Sequence, residues 1–73
     1  MSVELTNEEK ASIVQQHLKS LEFSIYNLNL SLIELNAMTM PNQQDIDNIT
    51  LQLSDVESKK AALQTELNSL SVE

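Results

Sequence analysis

Residues 14–35 read VQQHLKSLEFSIYNLNLSLIEL, and the spacing of the apolar residues in this stretch decides the fold. Apolar side chains recur at alternating intervals of four and three, at Val14, Leu18, Leu21, Ile25, Leu28, Leu32 and Leu35. This spacing is typical of a coiled-coil seam, because it keeps one side of an α-helix turned towards a partner helix. Ala11 extends the seam by one step, and Thr6 with Glu9 forms the T-x-x-E pattern of a helix N-terminal capping box.

A second seam follows a single break in the chain. The break lies at residues 37–42, AMTMPN, where Pro41 lacks an amide hydrogen and disfavours a helical backbone at Met40. Met40 or Asn42 is a candidate cap for the next helix, with Asp45 and Asp47 near its positive end. Beyond the break the same alternation of three and four returns at Ile46, Ile49, Leu53, Val56, Lys60, Leu63, Leu67 and Leu70.

Two seams joined by so short a connection predict an all-α fold, a two-helix antiparallel coiled-coil hairpin. We expect a single domain over residues 1–73. Helix 1 is expected at about 6–38, the turn at about 39–42 and helix 2 at about 43–70. The hairpin should be a thin rod, since helices of this length extend roughly 40–50 Å.

Placing the two seams against each other also predicts a register, that is, which seam residues lie opposite one another. Leu28 then lies opposite Leu53, and Lys60, the polar member of the second seam, lies opposite Leu21. Glu22 and Glu57 face each other at the same level, so the Lys60 ammonium is expected to reach both carboxylates. A polar seam position of this kind lowers stability and helps to specify register. The same register predicts two flanking pairs, Lys10 with Glu73 and His17 with Glu66.

Helix 1 carries a second apolar stripe on the side opposite its seam. The α1 stripe consists of Phe23, Tyr26, Leu30, Ile33 and Ala37. Helix 2 offers only Leu51 at the comparable outer positions. An apolar patch left in water usually marks an interface, and a chain this small needs help to build a core. The stripe therefore predicts a homodimer that forms a four-helix bundle.

The dimer is expected to be symmetric, with the first helices paired antiparallel. Phe23 would then lie close to the partner's Ile33 or the partner's Ala37. A parallel pairing would instead stack the acids near the turn of both subunits, namely Glu34, Asp45 and Asp47. A trimer or higher bundle is the main alternative assembly.

Composition argues against most catalytic chemistry. The 73 residues include no Gly, no Cys and one His, which excludes glycine-rich phosphate loops, thiol nucleophiles and multi-histidine metal sites. We expect no enzyme activity, no cofactor and no metal. The net charge of −7 disfavours nucleic acid and anionic membranes as partners. No targeting or membrane-spanning pattern is present, which predicts an intracellular soluble protein.

Four minor features have competing interpretations. The segment between Ser20 and Ser58 contains acidic residues but no basic residue. It is interpreted as a solubilising surface, with an acidic docking tip as the alternative. The string DIDN at 45–48 resembles part of a calcium loop but lacks its glycine and distal glutamate, so helix N-terminal acids explain it better. Met38 and Met40 are expected to plug the end of the hairpin rather than form a sticky tip. Tyr26 is assigned to the interface rather than to a half-buried core.

Four short strings together carry a family resemblance: LTNEEK at 5–10, LEFSIYNL at 21–28, SLIE at 31–34 and LQTE at 63–66. The chain resembles small uncharacterised proteins of marine tailed bacteriophages, particularly T4-like phages of cyanobacteria. The resemblance implies a small helical protein of marine viral or microbial source, placed in the host cytoplasm or the virion. It carries no functional residue over to this chain.

The leading functional hypothesis is a non-enzymatic structural or interaction protein that self-associates. The alternative is an adaptor or regulator that binds a host or viral protein through the α1 stripe. A third possibility is a chaperone or assembly factor that uses the same stripe transiently.

Overall fold

The computed structural model describes residues 3–71, except for the side chain of Ser71, and it is built from two long helices. Helix α1 spans Asn7–Asn36 and helix α2 spans Gln43–Ser71. The helices pack against each other as a hairpin that measures 61 × 19 × 15 Å. The all-α, two-helix architecture predicted from the seams is therefore confirmed.

The start of α1 is fixed by reciprocal hydrogen bonds. The Glu9 amide donates to Thr6 Oγ1 at 3.1 Å, and the Thr6 amide donates to Glu9 Oε1 at 2.8 Å. Two backbone donors that the first helical turn leaves unpaired are thus satisfied, which stabilises a helix end by about 1 kcal/mol. The capping box inferred from the T-x-x-E pattern is present.

Helix α1 ends two residues earlier than the predicted 38, at Asn36. The Ala37 amide donates to the carbonyls of Ile33 and Glu34, and the Met38 amide donates to Leu35. These bonds tighten the last turn and satisfy its terminal carbonyls without a left-handed residue. Met38 therefore belongs to the turn, whereas Ala37 keeps a helical backbone as the C-cap.

Asn42 caps the start of the second helix. Its side-chain oxygen accepts from the Gln44 amide at 2.9 Å and from the Asp45 amide at 3.4 Å, while its carbonyl accepts from Ile46. Of the two candidate caps, Asn42 makes these bonds, and Pro41 lies just outside the helix. Pro41 thus ends the connection at a position where no helical amide is needed.

The seam residues form the packed face of the hairpin. Within residues 3–70 no side chain is fully buried, but every predicted seam residue from Ala11 to Leu70 is half-buried, together with Ser24 and Ser31. Grooves along the rod bring Leu28 beside Val56, and Leu21 beside Leu63. In the predicted register these neighbours belong to adjacent layers, since Leu28 faces Leu53 and Leu21 faces Lys60 there, so the register itself stays a prediction. Two helices alone cannot enclose a side chain on all sides, so the seam stays half-open to water.

Candidate functional site: the outer face of the first helix

Lys60, at the polar position of the second seam, forms an ion pair with Glu22. Lys60 Nζ lies 2.5 Å from Glu22 Oε1, and both side chains remain partly open to solvent. The hydrogen bond that Lys60 donates to Glu22, and then the negative charge of Glu22, raise the pKa of Lys60. Slight desolvation lowers this pKa, and the charge of Glu57 raises it by a still smaller effect. In the described part of the chain Lys60 makes no ion pair with Glu57, so Lys60 binds one of its two predicted partners and feels the other only through space.

Two other predicted pairs have different outcomes. His17 lies beside Leu21 and Leu63, and within residues 3–71 no ion pair joins it to Glu66, so the prediction of that pair is wrong. Exposed long side chains lose entropy when they are held together, and this loss offsets a weak attraction. The predicted partner of Lys10, Glu73, lies outside the described residues.

The methionines of the turn do not form the predicted plug. Met38 lines the groove that also includes Leu35 and Ile49, but more than half of its surface is exposed. Met40 is 85% exposed and closes nothing. The early end of α1 explains the difference, because residues after Ala37 no longer follow the helical direction that would bring both side chains over the seam.

The α1 stripe lies on the outside of the hairpin. Phe23 is 62% exposed, Tyr26 65% and Ile33 64%, and Ala37 is also exposed at the C-cap. Leu30, in the middle of the stripe, is less open, at 38%. Successive members are three or four residues apart, so they form one continuous ridge along four turns of α1.

Polar side chains border the α1 stripe on both sides. Lys19 occupies the next stripe position towards the N-terminus, and it forms a shallow apolar depression with Glu22, Phe23 and Tyr26. Asparagines and acids occupy the flanking positions: Glu22, Asn29 and Asn36 on one side, and Ser20, Asn27 and Glu34 on the other. An apolar centre with a polar rim is the composition of a protein–protein interface.

The outer face of α2 is different. Among the described residues of α2, Leu51 is the one large apolar side chain that is mostly exposed, at 65%. Its neighbours three and four residues away are Asp47, Asn48, Ser54 and Asp55. One isolated apolar residue among polar ones is ordinary for a protein surface.

Three further apolar residues are exposed without belonging to a periodic pattern in the sequence. Ile13 lies ten residues before Phe23 on α1, and Val3 and Leu5 precede the helix. None of them continues the three–four spacing of the α1 stripe. The adjacent pair Ile13-Val14 was the available signal, since only one of two neighbouring residues can point into a seam.

Other candidate chemistry is sparse in the described residues. Residues 3–71 contain no group of three or more His, Asp and Glu side chains placed to hold a metal ion. Asp47 of the DIDN string accepts a hydrogen bond from Gln43 at 2.9 Å, and Asp45 lies in the first turn of α2. Neither described helix has the length and apolar character that crossing a membrane requires.

No protein-family profile, curated protein or solved structure matches this chain. The resemblance to phage proteins therefore stays a prediction that rests on the four strings quoted above. The α1 stripe is the feature on which a function can be argued.

Proposed function

We propose that this protein is a non-enzymatic interaction protein whose hairpins self-associate through the α1 stripe. The observation that carries this proposal is the contrast between the two outer faces. The two helices pack against each other through their seams, yet among the described residues only α1 keeps a continuous apolar ridge exposed to water. Water disfavours such a ridge by ~1.5–3 kcal/mol for each fully exposed large side chain.

The homodimer is the assembly that this surface supports best. A two-fold contact uses the same patch on both subunits, so one stripe per chain is sufficient. Pairing two α1 helices would give a four-helix bundle with the α2 helices away from the contact.

The experiment compares two variants that carry the same added charge. Tyr26→Glu/Leu30→Glu places four carboxylates at the proposed two-fold contact. Leu51→Glu/Ser54→Glu places the same charges on the outer face of α2, at positions three residues apart instead of four. Sedimentation velocity should show a dimer for wild type and for the α2 variant, and a helical monomer for the α1 variant.

Two results would reject the proposal in different ways. If the α1 variant sediments as wild type does, the stripe is not the contact. If wild type is itself a monomer that binds an apolar dye through the stripe, self-association is wrong and the adaptor hypothesis takes its place.

A further inference from the structure

The spacing of the α1 stripe allows a second, antiparallel copy to lie on it with all six positions matched. Its positions, extended by one to Lys19, are Lys19, Phe23, Tyr26, Leu30, Ile33 and Ala37. The intervals are four, three, four, three and four, so the pattern is the same in both directions. In an antiparallel pair of α1 helices, each stripe position can therefore lie opposite a stripe position of the other copy.

We propose, on the basis of the function argued above, that two copies pair antiparallel in this one register. Phe23 then packs on the partner's Ile33, and Tyr26 packs on the partner's Leu30. The two-fold axis passes beside residues 27–29. Each apolar layer combines one aromatic and one aliphatic side chain, so no layer has to accommodate two rings.

The ends of the stripe supply charge complementarity. Lys19 comes opposite the partner's Ala37. The partner's Glu34 lies one turn before that alanine, within reach of the Lys19 side chain. In the described hairpin neither the Lys19 nor the Glu34 side chain has an ion-pair partner, so both are available. A parallel pairing would instead place Lys19 beside the partner's Lys19.

The rim agrees with the same register. Asn27 and Asn29 flank the two-fold axis, one on each side, and each faces its own copy with an amide that both donates and accepts. Glu22 comes opposite the partner's Asn36, and Glu34 comes opposite the partner's Ser20. No two like charges are therefore opposed along the contact, although the chain carries a net charge of −7.

The area is adequate for a modest dimer. If each large side chain presents roughly 150–200 Å² when fully exposed, the exposed parts of the four central residues amount to about 400 Å² per subunit. Two copies then bury about 800 Å² from the stripe alone, and the polar rim adds to it. Stable interfaces bury about 1,200 Å² or more in total and weak ones bury less, so the dimer is expected to be a weak one.

The test uses single cysteines, which the natural chain lacks. Asn29→Cys places two thiols close together across the two-fold axis, so a short bis-maleimide should link most of the dimers. Ala37→Cys is the matched control, because two copies of residue 37 lie about 27 Å apart in this register. A mixture of Ala37→Cys with Lys19→Cys should crosslink, since these positions face each other.

Charge exchange gives a second readout. Glu34→Lys should weaken the dimer about three- to tenfold, although it lowers the net negative charge and would strengthen a non-specific association. Lys19→Glu should also weaken the dimer. The double variant Lys19→Glu/Glu34→Lys should restore wild-type affinity, and 0.5 M salt should remove most of the difference.

The outcomes separate this proposal from the function on which it rests. If Ala37→Cys links to itself and Asn29→Cys does not, the helices are parallel and the register is wrong, while self-association stands. The register is also wrong if the double charge variant is not rescued and no cysteine variant crosslinks. Self-association still stands in that case, provided that sedimentation shows a dimer which Tyr26→Glu/Leu30→Glu abolishes. If wild type sediments as a monomer, both proposals fail.

Discussion

The outer faces of the two helices differ although their inner faces are alike. Ile33 on α1 and Leu51 on α2 are aliphatic residues of the same size, and they are exposed to the same extent. Ile33 continues a ridge with Tyr26 and Leu30, whereas Leu51 stands alone among polar side chains. The exposure of one residue therefore does not mark a site, and a row of exposed residues at helical spacing does.

The largest expected effect distinguishes inner from outer positions. Leu28→Ala removes a half-buried seam side chain at the middle of the rod, and it should lower the free energy of unfolding by about 2 kcal/mol. Leu51→Ala, on the outer face of α2, should change it by less than about 0.5 kcal/mol. Urea unfolding followed by circular dichroism at one protein concentration gives both values. Equal losses would mean that the described seam is not what holds the helices together.

The next effect compares the two outer faces directly. Ile33→Ala and Leu51→Ala remove the same number of carbons from equally exposed positions. Burial at the contact should make Ile33 worth about 1 kcal/mol per subunit, so Ile33→Ala should raise the dimer Kd roughly thirtyfold. Leu51→Ala should leave that Kd unchanged in sedimentation equilibrium. An equal change in both variants would remove the distinction between the faces.

A smaller effect concerns the polar position of the seam. Lys60→Leu should leave the melting temperature unchanged or raise it, because an apolar side chain often matches or exceeds an ion pair at such a site. Glu22 loses its partner in this variant but stays partly in water. Thermal unfolding followed by circular dichroism measures the change. Strong destabilisation would show that Lys60 satisfies more than the Glu22 carboxylate.

The smallest effect is a dependence on alkaline pH. Glu22 raises the pKa of Lys60 above its ordinary value of 10.5, so the charged lysine is favoured in the folded chain. The resulting stabilisation is complete below pH 10.5 and is lost as the pH rises through the raised pKa of the folded state. The difference in unfolding free energy between wild type and Lys60→Met should be constant from pH 7 to 10 and decrease above 10.5. A constant difference up to pH 12 would contradict the described ion pair.

The sequence predicted the seams best, because burial against a partner helix repeats every three or four residues and leaves a strong pattern. Every residue from Ala11 to Leu70 that was assigned to a seam is half-buried. The end of α1 was missed by two residues, since a few backbone hydrogen bonds of about 1 kcal/mol each decide it and no glycine marks it. The absent pair of His17 and Glu66 shows that exposed side chains do not follow from register alone.

The sequence also predicted the residues of the candidate site, because they too recur at helical spacing. The three–four spacing identified the α1 stripe, and the structure leaves its members exposed in the single chain. Which molecule covers the stripe depends on a second surface and on concentration, and neither is encoded in the periodicity of one helix. The spacing from Lys19 to Ala37 permits pairing with a copy, but the α1 seam has the same spacing and packs on α2. The opposite charges of Lys19 and Glu34 at the two ends of the stripe are what favours a copy as the second surface.

Tyr26 offers the most direct measurement of the central claim, that the α1 stripe is covered by self-association. It is the single tyrosine of a chain without tryptophan, so all useful intrinsic fluorescence comes from the middle of the stripe. Acrylamide quenching should be severalfold weaker in concentrated wild type than in Leu30→Glu, and it should rise towards the value of that variant on dilution. Quenching that is equally strong in both proteins at every concentration would contradict the claim.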